Sequence, residues 1–144
     1  MAVRYSISEI INKAIELPTK KEKIEWLQQN QSTPLKTVLK YWYDESVEFL
    51  VPSSAPPWKK NEYEDEAKSL LYTEARRLRI FIKGGGYDNL NQVKREQLFI
   101  SLLEDVDNDD AEMLCKMISK KSAKGLSRAT VATAFPDLIE TKQG

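Results

Sequence analysis

The sequence predicts an all-α fold of about six to eight helices in a single compact domain. Apolar residues recur at helical spacing, residue pairs typical of helix starts precede these runs, and no useful stretch alternates as a strand would. With 144 residues, 41% of them hydrophobic and 31% charged, the chain is long enough for one core and too short for two. We expect the domain to span residues 1–139 and the polar residues 140–144 to form a tail.

Three short helices are predicted in the first third of the chain. Capping boxes of the form Ser/Thr-x-x-Glu begin at Ser6 and Thr19, where hydroxyl and carboxylate each accept a backbone N–H of the other residue. Thr33 then precedes Pro34, which suits a capping residue followed by proline at the first helical position. The predicted apolar faces contain Ile7, Ile10, Ile11, Ala14, Ile15, Ile24, Leu27, Leu35, Val38, Leu39 and Trp42.

The second half carries the remaining helices. A proline-rich loop at residues 51–58 ends the first unit, and helical spacing resumes from Tyr63 to Phe81 until three glycines stop it at residues 84–86. Further helices are predicted from Asn91 and from Asp109-x-x-Glu112. The glycines are interpreted as a hinge between helices, because no strand precedes them and no Lys-Ser/Thr pair follows, as a phosphate-binding loop requires.

The composition argues against an enzyme. The absence of histidine removes histidine-based acid–base catalysis, histidine-assisted nucleophiles and histidine-ligated metals. The run from Asp105 to Asp110 fails as a calcium loop, because Asp110 stands where glycine is required and Lys116 where glutamate is required. The single cysteine, Cys115, excludes an internal disulfide and is predicted to be a buried apolar residue. We therefore expect no catalysis, cofactor or bound metal.

Location and partners follow from hydropathy and charge. No apolar run is long enough to span a bilayer and the first residues lack the hydrophobic core of a signal peptide, so we expect a cytoplasmic protein without membrane contact. The formal net charge is zero, from 22 basic and 22 acidic residues, so any nucleic-acid binding must be local. The charges are segregated: Lys116 to Arg128 holds five basic and no acidic residues, and it follows an acidic block of Glu104, Asp105, Asp107, Asp109, Asp110 and Glu112.

The end of the basic stretch is suited to holding phosphate. Lysines lead into Gly125, which permits a close backbone approach, and Ser127 can cap a short helix whose first N–H groups carry partial positive charge. The alternative interpretation is a glycine that ends one helix and a serine that begins the next, with no ligand.

The same stretch resembles a known family. The run Gly125-Leu126-Ser127-x-x-Thr130-Val131-x-x-Ala134-Phe135-Pro136-Asp137-Leu138-Ile139 is similar to the closing segment of the N-terminal DNA-binding domain of ATP-dependent DNA ligases, including bacteriophage ones. The similarity extends to residues 109–118 and to parts of residues 10–41, and residues 51–90 match poorly. In that family the segment helps to clasp duplex DNA across the minor groove.

The resemblance implies a DNA-binding protein that does not ligate. The chain contains no Lys-x-Asp-Gly motif, which carries the adenylated lysine in a separate nucleotidyltransferase domain of these ligases. We therefore expect a stand-alone accessory protein that contacts the backbone of intact or nicked duplex DNA in bacteriophage replication, repair or recombination, inside the infected cell. The expected contacts are Lys120, Lys121, Lys124, Gly125, Ser127, Arg128 and Thr130, with a second basic patch at Arg76, Arg77 and Lys83.

A protein–protein module on the same scaffold is the alternative. The balanced charge and the acidic block favour it, and a virion component or a factor that binds host machinery would fit. Its contact surface would be the acidic block or the loop around Trp58, which stands between Pro57 and Lys59 and is the aromatic residue predicted to be exposed.

Overall fold

A computed structural model describes residues 5–52, 58–59, 70–121 and 123–139. Over these ranges the chain forms seven α-helices and a 3₁₀ helix, and its strand-like pairing is one antiparallel bridge between Phe49 and Ile82. The prediction of an all-α fold is confirmed. The elements are α1 (Ile7–Glu16), α2 (Lys20–Gln29), α3 (Thr33–Tyr43), α4 (Leu70–Glu74), the 3₁₀ helix (Ala75–Phe81), α5 (Gln92–Asp105), α6 (Asn108–Ser119) and α7 (Arg128–Ala134).

The predicted helix starts are mostly confirmed. At α1 the Ser6 hydroxyl accepts the Glu9 N–H at 3.2 Å and the Ser6 N–H donates to the Glu9 carboxylate at 3.0 Å, which completes the capping box. The start of α3 is corrected by one residue: Ser32, not Thr33, is the cap, and its hydroxyl accepts the Leu35 N–H at 3.2 Å. Both residues carry a hydroxyl, and Ser32 adopts the extended backbone that a cap requires.

The start of α6 also differs from the prediction. The helix begins at Asn108 rather than Asp109, and Asp107 caps it by accepting the Asp109 N–H at 3.1 Å. Several neighbouring aspartates are suitable caps, and the choice among them depends on burial. Asp110 is fully buried against α1, and this position fixes the register of the helix start.

The segment predicted as one helix from Tyr63 to Phe81 is not uniform. Residues 60–69 lie outside the described residues, and the rest consists of one α-helical turn, α4, followed by the 3₁₀ helix. Gly84 and Gly86, with φ of 82° and 97°, end this segment as predicted. Most of the proline-rich loop and the predicted tail at residues 140–144 also lie outside the described residues.

The core is built mainly from the predicted apolar faces. α1 packs against α2 and α6, α2 packs against α7, and α3 packs against α6 and the 3₁₀ helix. Trp42 is buried as predicted. Trp58 is a correction: it is partly buried against the core rather than exposed, and it hydrogen-bonds to Cys115. Cys115 is itself half-buried, and burial raises the pKa of its thiol.

Of the helices that the structure describes, none is both long and apolar enough to cross a membrane.

A buried carboxyl group joins α1 to α6. Asp110 Oδ1 accepts the Ser8 N–H at 2.8 Å, and Asp110 Oδ2 has no hydrogen-bond partner among the described residues. Burial raises the pKa of Asp110 to about 6, and hydrogen bonds from Ser8 oppose this effect in part. The folded state therefore binds this proton more tightly than the unfolded chain does.

Asp110 should make the protein more stable in mild acid than at neutral pH. Since the pKa is higher in the folded state, the contribution of Asp110 falls as the pH rises through that pKa. Relative to Asp110→Asn, the wild type should lose about 2 kcal/mol of unfolding free energy between about pH 4.5 and about pH 7.

Urea unfolding of both proteins across this range measures the difference. Asp109→Asn, at an exposed carboxylate one residue away, reports the general effect of removing one charge from this helix. If the unfolding free energies of wild type and Asp110→Asn differed by the same amount at every pH, the prediction would be wrong.

Candidate functional site

The predicted DNA-contacting residues lie around the connection between α6 and α7. We call residues 120–127 the lysine loop; within it the structure describes all residues except Ser122. Lys120 ends α6 in the left-handed conformation, with φ of 60°, and Ser127 caps α7. The predicted arrangement of a cationic loop followed by a capped helix is therefore present.

Two aromatic residues at the end of α3 hold the backbone of the lysine loop. Trp42 Nε1–H donates to the Lys121 carbonyl at 2.7 Å. The Tyr43 hydroxyl donates to the Leu126 carbonyl at 2.7 Å and accepts the Ala123 N–H at 3.1 Å. Burial raises the pKa of Tyr43, and its protonated hydroxyl can make both bonds. The loop is thus fixed from its inner side.

Gly125 brings the lysine loop against the end of α1. Its φ is 95°, and an added Cβ would lie 2.9 Å from Ile15 Cγ2 and 3.0 Å from the Ile15 carbonyl oxygen. Lys23 completes the contact, because its Nζ donates to the carbonyls of Gly125 at 2.6 Å, Ala14 at 3.1 Å and Ile15 at 3.0 Å. The glycine allows close packing between two segments of this chain.

Lys120 points inward, toward the carboxyl end of α3. Its Nζ donates to the carbonyl of Tyr41 at 2.7 Å and to that of Asp44 at 2.6 Å. These carbonyls belong to the last turn of α3 and the residue after it, where helix carbonyls lack intrahelical partners and carry partial negative charge. Burial lowers the pKa of Lys120, and Asp44 opposes this shift. The ammonium group therefore stabilises the end of a helix.

Arg128 is held at the same end of α3. Its Nε–H donates to the Tyr43 carbonyl at 3.1 Å, and its Nη1 forms an ion pair with Glu45 at 2.6 Å. The side chains of Arg128 and Glu45 are 40% and 49% exposed, so this pair lies at the surface.

The hydroxyl residues of the predicted site bond to each other. Ser127 Oγ accepts the Thr130 N–H at 3.2 Å and lies 2.9 Å from Thr130 Oγ1. Ser127 is the cap that the sequence predicts, and Thr130 is buried beneath it. Both side chains thus shape the start of α7.

Lys121 and Lys124 are the exposed cations of the lysine loop. Lys20 on α2 is also exposed, and it lies one helical turn before Lys23, which bonds to the residue following Lys124. The structure therefore separates the predicted set into side chains that face the solvent and side chains or backbone groups that hold the loop.

In the second predicted basic patch, two of the three cations lie close to acidic side chains. Arg76 is exposed, Arg77 pairs with Glu74 at 2.8 Å, and Lys83 lies 3.9 Å from the exposed carboxylate of Glu48. Nearby, both carboxylate oxygens of Asp88 accept the Gly84 N–H at 3.0 Å. An acidic side chain of this protein therefore occupies the Gly84 amide.

The sequence did not single out Lys23, Trp42, Tyr43 and Glu45 as parts of this site. Of these four residues, Trp42 was predicted as part of an apolar face. Their roles depend on contacts with residues about 80 to 100 positions away, which no local pattern signals.

Comparison with known protein families shows which family the chain matches. A family model described as "Family of unknown function (DUF6433)" matches residues 10–124, which is most of the chain and includes most of α1, all of α2 to α6 and the first five residues of the lysine loop. No curated protein matches the chain.

Proposed function

The chain belongs to the family of unknown function DUF6433, and we propose that it is a non-catalytic protein that binds the phosphate backbone of duplex DNA. The observation that carries this proposal is the lysine loop, whose backbone is fixed from inside while Lys121 and Lys124 stay exposed. A fixed loop loses little conformational freedom on binding, so its charges are available at low entropic cost.

The exposed lysines favour recognition of the DNA backbone over recognition of bases. Lysine ammonium groups bind phosphate as point charges, and such contacts carry no sequence information. Lys20 on α2 is a further exposed cation. The resemblance to the ligase DNA-binding domain favours duplex DNA over other polyanions, and a role as an accessory in bacteriophage replication, repair or recombination is part of this proposal.

Charge reversal of the two exposed lysines tests the proposal. Lys121→Glu/Lys124→Glu should weaken duplex binding by at least about tenfold at low salt and lower the salt slope by about two units, because two phosphate contacts are lost. Fluorescence anisotropy with intact and nicked duplexes across a salt series gives both quantities.

A matched control has the same change in net charge elsewhere. Lys59→Glu/Lys94→Glu alters two exposed lysines, one on α5 and one whose N–H donates to Glu104 of α5 at 2.8 Å. This control should retain most of the affinity. Equal losses in both double variants, or binding by the wild type that does not respond to salt, would contradict the proposed site.

A protein partner is the second candidate. A groove of about 470 Å³ lies between residues 45–51 and the end of α6. Its lining combines apolar residues such as Phe49, Val51 and Ile118 with Glu45, Glu48 and Lys120, and this mixture of apolar and charged side chains favours a protein partner. Purification from the native cells with nuclease treatment separates the two functions: a stoichiometric protein that remains bound after nuclease would support the protein–protein module.

A further inference from the structure

The ion pair between Arg128 and Glu45 lies beside the proposed DNA contacts. Arg128 directly follows the lysine loop, and its Nε–H bond to Tyr43 connects it to the residue that clamps the loop. Its Nη1 meets Glu45 at 2.6 Å, and both side chains are nearly half exposed. The Glu45 carboxylate therefore binds the Arg128 guanidinium group on a side that a phosphate could reach from the solvent.

Carboxylate and phosphate oxygens compete for the same donors. Guanidinium groups bind both anions through their N–H groups, and a phosphate can take the place of a carboxylate without reorienting the arginine. Here the Tyr43 carbonyl holds the guanidinium through Nε, so exchange at Nη1 requires only that Glu45 rotate away.

We infer that Glu45 restrains DNA binding by pairing with Arg128, which becomes a phosphate contact only when DNA displaces the carboxylate. This inference rests on the proposed function. Glu45 thereby sets the affinity of the lysine loop, and Lys121 and Lys124 provide the contacts that require no displacement. Lys120 has no such role, because its bonds to the Tyr41 and Asp44 carbonyls turn it away from the solvent.

A double-mutant cycle on duplex binding tests the inference. Glu45→Gln should tighten binding about two- to fivefold at low salt, the range expected for release of one exposed ion pair. The same change should have no effect in an Arg128→Gln background. If the gain arose from the mere removal of a negative charge, it would persist in that background and overturn the inference.

Glu48→Gln provides the matched control. Glu48 is exposed, lies on the same connection after α3, and is 3.9 Å from Lys83 rather than close to Arg128. It should change duplex affinity less than Glu45→Gln does, and an equal gain from both variants would overturn the inference. Urea midpoints of all variants identify any change that arises from unfolding.

The outcomes separate this inference from the proposed function. If the wild type binds duplex DNA and responds to Lys121→Glu/Lys124→Glu but Glu45→Gln has no effect, the proposed function stands and the role of Glu45 is wrong. If only Glu45→Gln binds, Glu45 is the restraint and the wild type is not a DNA-binding protein by itself. If neither binds in a salt-dependent way, both proposals are wrong.

Discussion

Gly125→Ala should destabilise the protein by about 3 to 5 kcal/mol, more than any other single change proposed for this chain. Two costs add at this position. A residue with a side chain is strained at φ of 95°, and the new Cβ would lie 2.9 Å from Ile15 Cγ2 and 3.0 Å from the Ile15 carbonyl oxygen. Because the carbonyl belongs to the α1 backbone, it cannot move aside as a flexible side chain would.

The matched control separates the two costs. Gly86 has a similar φ of 97°, and an added Cβ there meets nothing within 4 Å. Gly86→Ala should therefore cost only the backbone strain, about 1 to 2 kcal/mol. Denaturant unfolding of both variants gives the comparison, and equal losses would show that the contact between the lysine loop and α1 is not close in solution.

Lys120→Met should cost about 3 to 4 kcal/mol of unfolding free energy. Methionine keeps an unbranched apolar stem, but it removes the ammonium donor that lies 2.7 Å from the Tyr41 carbonyl and 2.6 Å from the Asp44 carbonyl. The Asp44 carbonyl keeps the Val47 N–H at 3.2 Å, so the larger share of the loss falls on Tyr41. The free energy of unfolding falls when helix-end carbonyls in a partly buried site lose a charged donor.

Lys121→Met is the control for this prediction. It removes the same charge from the next residue, where the side chain is exposed, and should change stability by less than about 0.5 kcal/mol. For duplex DNA affinity the order should be reversed, and Lys121→Met should lose more affinity than Lys120→Met. A stable Lys120→Met protein with reduced DNA affinity would instead assign Lys120 to the phosphate contacts.

Much of the fold could be predicted from the sequence because its signals are local. The capping box at Ser6 and the cap at Thr19 involve residues three positions apart, so the pattern contains the whole interaction. The start of α3 was misplaced by one residue because Ser32 and Thr33 offer the same chemistry to the helix. The start of α6 depends on the burial of Asp110 against Ser8, a contact across 102 residues.

The candidate site was predicted as a set of residue types, and the tertiary structure assigned their roles. The sequence by itself determined that several cations, a glycine and a capping serine lie next to each other in the chain, just before α7. It did not determine which cations face the solvent. That depends on where the carboxyl ends of α1 and α3 lie. The carbonyls at these ends accept hydrogen bonds from the ammonium groups of Lys23 and Lys120, which are thereby held against the protein.

Helical periodicity and capping act within a few residues, and the sequence therefore determined the helices and the position of the lysine loop. The pairing of a cation with a distant helix end acts across 76 to 85 residues for Lys120 and Arg128. Such pairing exists only after the helices have packed. Only the tertiary structure therefore decided that Lys121 and Lys124 face the solvent while Lys120 supports the fold and Arg128 is bound to Glu45.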